Sequence, residues 1–181
     1  MANNLRKFNN GAAYSAATLV KPAVSLIADT DAVYFDPKEV VPPTPFEGKW
    51  LATYTGGTTE SAACDASSAI TKNTIEAEDL VSLEIGDCVT EIGEDCVGHC
   101  ETITSLTIGS GVTTIGISAF CDEMNLASIT IKATTPPTLD DGEGGVFGGS
   151  DCPIYVPSAS VDAYKSASSW SRYASRIQAI S

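Results

Sequence analysis

Leu83-Glu84-Ile85, Leu106-Thr107-Ile108 and Ile129-Thr130-Ile131 are one apolar-x-apolar triplet returning every 23 residues, and their reading decides the fold. The rest of the unit keeps step: Val89, Ile92, Gly93, Val97 and Ile103 recur as Val112, Ile115, Gly116, Phe120 and Leu126. A period of this length marks a unit that cannot bury its apolar face alone and does so against its neighbours. In an extended triplet the outer side chains point one way and the middle one the other, so Leu83 and Ile85 are expected inward and Glu84 outward. Successive triplets then line up as a parallel ladder. A second extended run, Val89-Thr90-Glu91-Ile92-Gly93, is matched by Val112-Thr113-Thr114-Ile115-Gly116 and ends at a glycine, where the chain can bend into the next side.

Alternating Leu and Ile in a unit of roughly 20 to 29 residues is the mark of a leucine-rich solenoid. The block Ile115-Gly116-Ile117-Ser118-Ala119-Phe120, with this spacing, resembles the BspA-like leucine-rich repeat family, whose unit reads L-x-x-I-x-I-x-x-x-V-x-x-I-G-x-x-A-F. The likeness covers 80–131. The first copy departs from it, with Cys96-Val97 in place of Ala-Phe, and a partial unit is expected to precede it at Ile75 to Leu80. The resemblance implies a mainly β fold with short helices, and it is typical of bacterial cell-surface proteins.

Two and a half coils are fewer than a solenoid needs, so both ends require caps. At the near end Lys49-Trp50-Leu51-Ala52-Thr53-Tyr54, followed by Thr55-Gly56-Gly57-Thr58, reads as a hairpin able to cover the first coil. At the far end Pro153-Ile154-Tyr155-Val156-Pro157 reads as a short strand. After it Ser158 or Ser160 would cap a helix with Trp170, Tyr173 and Ile177 on one face. The organisation expected is therefore an N-terminal anchor at 1–37, a proline-rich linker at 38–45, a β cap at 46–74, the repeats at 75–135 and a C-terminal helical cap at 136–181.

The chain has 181 residues, 43% of them hydrophobic, and a net charge of −13. No stretch approaches a membrane span, so no membrane partner is expected. From Asn73 to Ile131 there are eleven Asp and Glu and no Lys or Arg. Such a surface repels phosphate backbones, which argues against nucleic acid. Near the start only Arg6 and Lys7 precede an interrupted apolar run, so no secretory signal is expected.

Residues 1–37 differ in texture. Pro22-Ala23-Val24-Ser25-Leu26-Ile27 and Ala32-Val33-Tyr34-Phe35 read as two extended runs around the turn Asp29-Thr30-Asp31, too few apolar groups to fold alone. Leu5-Arg6-Lys7-Phe8, Tyr14-Ser15-Ala16-Ala17-Thr18-Leu19, Pro22-Ala23-Val24-Ser25 and Val33-Tyr34-Phe35-Asp36 are similar to the opening of virion proteins from bacteriophages of gut bacteria, described as head-fibre or tail-associated proteins. Tyr54-Thr55-Gly56-Gly57 and Ala63-Cys64-Asp65 also resemble a segment that precedes the repeats in such proteins. This resemblance implies that Leu5, Phe8, Tyr14, Leu19, Pro22, Val24, Val33, Tyr34 and Phe35 serve assembly, against capsid or tail proteins and against further copies of the chain as a homo-oligomer.

Chemistry-bearing clusters are few. Cys96-Val97-Gly98-His99-Cys100 suggests a metal knuckle, but Cys96 takes the slot of Ala119 and Cys88 that of Gly111, both small positions of the coil. Zinc on Cys96, His99 and Cys100 stays an open alternative to packing. Free thiols are expected throughout, Cys64 and Cys152 included, because a particle assembled inside a cell would leave them reduced. Asp140, Asp141, Glu143 and Asp151 flank a glycine-rich loop and would offer oxygen ligands to calcium, yet they match no EF-hand spacing. No catalytic constellation, and no cofactor, is expected.

Binding is the function left. The outward face of the ladder would present Ser82, Glu84, Ser105, Thr107, Ser128 and Thr130, small and polar with no aromatic anchor, suited to weak contacts multiplied by valency. Tyr155, Tyr164, Trp170 and Tyr173 are read as core. The expected function is a non-enzymatic virion surface protein, a head fibre, capsid decoration or tail-associated protein. It would be assembled in the host cytoplasm, anchored by its N-terminus and able to touch host-surface protein or glycan. The alternatives are an extracellular or cell-surface adhesin module and a capsid stabiliser without ligand.

Overall fold

The computed structural model describes the backbone of Ser25–Leu26 and Val33–Tyr34, and residues 46–180 except 73, 98–99, 121–124, 141, 143–144 and 149. The chain divides into two units, Met1–Pro45 and Phe46–Ser181. In the first, β1 (Ser25–Leu26) pairs antiparallel with β2 (Val33–Tyr34), the two extended runs expected there. The assembly residues Leu5, Phe8, Tyr14, Leu19, Pro22, Val24 and Phe35 lie outside the described residues.

The second unit is a coil of parallel strands. β6 (Leu80–Ile85), β8 (Ser105–Ile108) and β10 (Ser128–Ile131) pair in parallel, with Leu83 opposite Leu106 and Leu106 opposite Ile129. Alternation acts as expected: Leu83, Ile85, Leu106, Ile108, Ile129 and Ile131 are buried. Between these strands the chain crosses to a second sheet, where β7 (Glu91–Ile92) pairs with β9 (Thr114–Ile115). Gly93 N donates to Ile70 O (2.7 Å) and Gly116 N to Ile92 O (2.7 Å), so each glycine closes its rung against the coil before it. On the third side Val97 N donates to Ala119 O (3.2 Å) and Phe120 N to Val146 O (3.1 Å).

The solenoid is longer than two and a half coils. The second sheet has four strands, because β5 (Ala69–Ile70) and β11 (Thr138–Leu139) add a rung at each end. Ile70 pairs with Ile92 and Leu139 with Ile115, at separations that depart by one residue from the 23-residue period. The partial unit expected at Ile75 to Leu80 therefore begins earlier, with Ile75 and Leu80 both in its core.

The hairpin at the near end is β3 (Trp50–Tyr54) and β4 (Thr59–Ala62), turned by Gly56 and Gly57 at φ 87° and 85°. β3 pairs antiparallel with β6, so the hairpin covers the first coil by extending its sheet. A disulfide joins Cys64 to Cys88, which corrects the expectation of free thiols throughout. Cys64 follows the hairpin and Cys88 lies after the first ladder strand, so the bond ties cap to coil. Cys96, Cys100 and Cys152 are free and buried.

At the far end β12 (Ile154–Val156) continues the ladder. It is followed by α1 (Val161–Ser166), a 3-10 helix (Ser168–Arg176) and β13 (Ile177–Ala179), which pairs in parallel with β12. The single helical face carrying Trp170, Tyr173 and Ile177 is thus corrected: Ile177 is a strand residue opposite Ile154. Ser160 stands at the N-cap of α1 without a capping hydrogen bond, its hydroxyl donating to Thr134 O instead (2.7 Å). Tyr164, Trp170 and Tyr173 form the core of the cap with Phe147. Tyr164 Oη donates to Ala133 O (2.8 Å) and Trp170 Nε1 to Pro137 O (2.7 Å), pinning the segment that leads out of the last repeat. Burial pushes the Tyr164 phenol up, so it stays a donor.

Candidate binding face

The ladder register assembles a continuous outward face. One row runs Leu51, Glu84, Thr107, Thr130, Tyr155 and Gln178, and a second runs Thr53, Ser82, Ser105 and Ser128. All six residues expected on this face lie on it: Ser105 is exposed, and Ser82, Glu84, Thr107, Ser128 and Thr130 are half-buried. Neighbouring strands stand about 4.8 Å apart, so the hydroxyls repeat at that interval across the sheet. A groove of about 160 Å³ runs between the hairpin and the first two ladder strands, lined by Leu51, Thr53, Ser82, Leu83, Glu84, Ser105 and Thr107.

Two features were not expected. Tyr155 is half-buried on this face beside Thr130, whereas Tyr164, Trp170 and Tyr173 are core. Pleat alternation between buried Ile154 and Val156 was the signal that could have placed it. Lys132 reaches back across the ladder, its Nζ donating to Glu84 Oε1 at 3.0 Å. That ion pair neutralises the one carboxylate in the long row, so the face is polar and nearly uncharged although the chain is acidic. Close by, Asp87 Oδ1 accepts from Ser110 N at 2.6 Å, and this hydrogen bond first, with Lys132 contributing, holds the Asp87 carboxyl below its ordinary range.

A second concavity, of about 330 Å³, lies at the near end between Tyr54, Thr55, Thr58, Glu60, Glu76, Glu78 and Asp79. Tyr54 Oη donates to Glu60 Oε2 (3.2 Å), and burial followed by the Glu60 charge raises its phenol. It is larger than the ladder groove, but it is wide open and lined with carboxylates and no base, an arrangement that repels anions.

The other clusters come apart. Cys96 is fully buried and its thiol is pushed up to about 12 by burial, which makes the thiolate needed for metal binding costly. Cys100 is also buried and its Sγ lies 3.6 Å from Leu80 O. Both fill core slots, while His99 lies outside the described residues. Asp140 and Asp151 are exposed, and Asp141 and Glu143 lie outside the described residues. Among the described residues no three His, Cys, Asp or Glu side chains gather around a common point, and no helix is long and apolar enough to cross a membrane.

Residues 65–141 match the family model of the BspA type leucine rich repeat region, in six copies. The match begins at the hairpin's exit and ends after β11, so it spans all four rungs of the second sheet. No curated protein gives a match to the chain.

Proposed function

We propose that this chain is a non-enzymatic virion surface protein, a head fibre, capsid decoration or tail-associated protein. Its N-terminal segment would anchor it, and its leucine-rich module would be held outward for weak, multivalent contact with host-surface glycan or protein. The observation that carries the binding half is the ladder face: rows of small hydroxyls, a neutralised Glu84 and a single aromatic, Tyr155. Hydroxyl rows exchange hydrogen bonds with polyols, and Tyr155 offers a ring for a sugar face. Without a buried aromatic or Arg anchor each contact is weak, and affinity comes from many copies. The anchoring half rests on the resemblance of residues 1–36 to phage virion proteins. Deleting 1–37 tests it: incorporation into particles should be lost, and unchanged incorporation would remove the anchor assignment.

The Cys64–Cys88 disulfide lends support to a second reading, a bacterial cell-surface or secreted adhesin module, because cross-links persist in oxidising compartments. A released virion meets such conditions too. Mass spectrometry of purified particles separates the two: the protein co-purifies with virions in the first and is absent from them in the second. A capsid stabiliser without a ligand would enter particles yet bind no cell surface at high valency.

A further inference from the structure

The seven-stranded sheet ends in two edges, β4 and β13, with no further strand paired to either among the described residues. Their directions match. β4 is antiparallel to β3 and β3 to β6, so β4 runs parallel to β6 and, through the ladder, to β13. A second copy translated along the solenoid axis thus presents β13 to β4 as a parallel pair, with neither strand reversed. At β4, Tyr54 N donates to Thr58 O and Ala52 stands opposite Glu60. That turns the backbone groups of Thr58, Glu60 and Ala62 towards β3 and those of Thr59 and Ser61 towards the open edge. At β13, Ile180 N donates to Val156 O (2.8 Å), which leaves Ile177 and Ala179 facing outward. Unpaired backbone rows of this kind are templates for another strand.

Charge decides which edges meet. Residues 46–80 hold six acids and two bases, and both bases are engaged locally, Lys49 with Asp65 and Lys72 with Asp95. Glu60, Glu76, Glu78 and Asp79 crowd the cavity beside β4. Residues 158–180 carry Lys165, Arg172 and Arg176 against Asp162, with Arg176 Nε held locally by Cys152 O (2.8 Å). Lys165 is exposed on α1, which packs against β13. Joining β4 to β4 sets acid against acid, and joining β13 to β13 sets base against base. β4 against β13 brings opposite signs together. Ile180, exposed at 40% just beyond β13, would be covered in the same contact.

We propose that copies of this chain associate head to tail, β13 of one pairing in parallel with β4 of the next and the sheet continuing across the junction. The contact is heterologous, so it builds rows or rings rather than closed two-fold dimers. It stands whether or not the protein belongs to a virion.

The test is sedimentation velocity of the full chain over a concentration series reaching about 1 mM, at low and high salt. Larger species should grow with concentration and recede with salt. Ser61→Pro and Ala179→Pro each remove an outward N–H while sparing the ladder within the molecule. Each alone should associate at least about tenfold more weakly. Their equimolar mixture should form dimers and stop there, since one variant keeps β13 and the other β4. Glu60→Lys, which alters no backbone group, should weaken association as well and serves if a proline variant loses its circular dichroism signature. A wild type that stays monomeric at every concentration overturns the proposal, as does association that survives both proline variants. Loss with Ser61→Pro but not Ala179→Pro would mean β4 pairs with itself, and it overturns the proposal too.

Discussion

Replacing Cys64 by serine cuts the covalent tie between the near-end hairpin and the first coil. The two cysteines are 24 residues apart, and loop-closure entropy for such a separation is worth about 3.5 kcal/mol in the chain-entropy treatment. For a folded unit the size of Phe46–Ser181 each kcal/mol moves the midpoint by about 2–5 °C, so Cys64→Ser should lower Tm by roughly 10 °C. Calorimetry with and without reductant is the assay. Reduced wild type should melt with Cys64→Ser, and the variant itself should ignore reductant. The loss should also be local: hydrogen exchange should speed up first in β3 and β4, whose attachment the bond secures, and last in β10. A wild type whose Tm is the same in both conditions, or a variant as stable as the oxidised protein, would refute the reasoning.

Three more outcomes follow from the coil geometry. A Cβ on Gly109 would strike the backbone of Gly86 and Asp87, so Gly109→Ala should destabilise by about 2 kcal/mol or more in denaturant unfolding, far beyond a propensity change. Ser118 sits at φ 55°, in the slot that Asp95 fills at φ 41° one coil earlier. Ser118→Gly should therefore raise stability by about 0.5–1 kcal/mol, read by the same measurement. Asp87 has a folded-state carboxyl pKa below its unfolded value, so its contribution is present above the unfolded pKa and is lost as pH falls through the folded one. Denaturant unfolding should accordingly find wild type more stable than Asp87→Asn at neutral pH, by less than about 1 kcal/mol because solvent screens this exposed carboxylate, and the gap should close in acid.

Much of this architecture was legible because its strongest signal is local and repeated. Leu83, Leu106 and Ile129 declare the register, and pleat alternation then assigns every outward residue between them. The rungs at Ile70 and Leu139 escaped because their spacing to Ile92 and Ile115 slips by one residue, which a loop absorbs at little cost while a fixed period does not. Ile177 was misplaced although it stands one full period after Ile154: helical spacing from Trp170 and Tyr173 offered a competing pattern, and the ladder won by covering the open edge of β12. The Cys64–Cys88 pairing depends on how the hairpin folds back over the coil, a long-range contact with no trace in the repeat. Tyr155 was grouped with the cap aromatics by position in the chain, when its buried neighbours Ile154 and Val156 already put it on the opposite face.

The measurement closest to the central claim is binding of the multimerised protein to intact host cells and immobilised glycans, wild type against two variants. Thr107→Lys places a long charged side chain in the middle of the ladder face, and Glu91→Lys makes the same change on the second sheet, where Glu91 is exposed. Avid binding that falls by about tenfold or more with Thr107→Lys and holds with Glu91→Lys is the predicted result. Binding that is absent at high valency, or that is lost through Glu91→Lys and kept through Thr107→Lys, would contradict it.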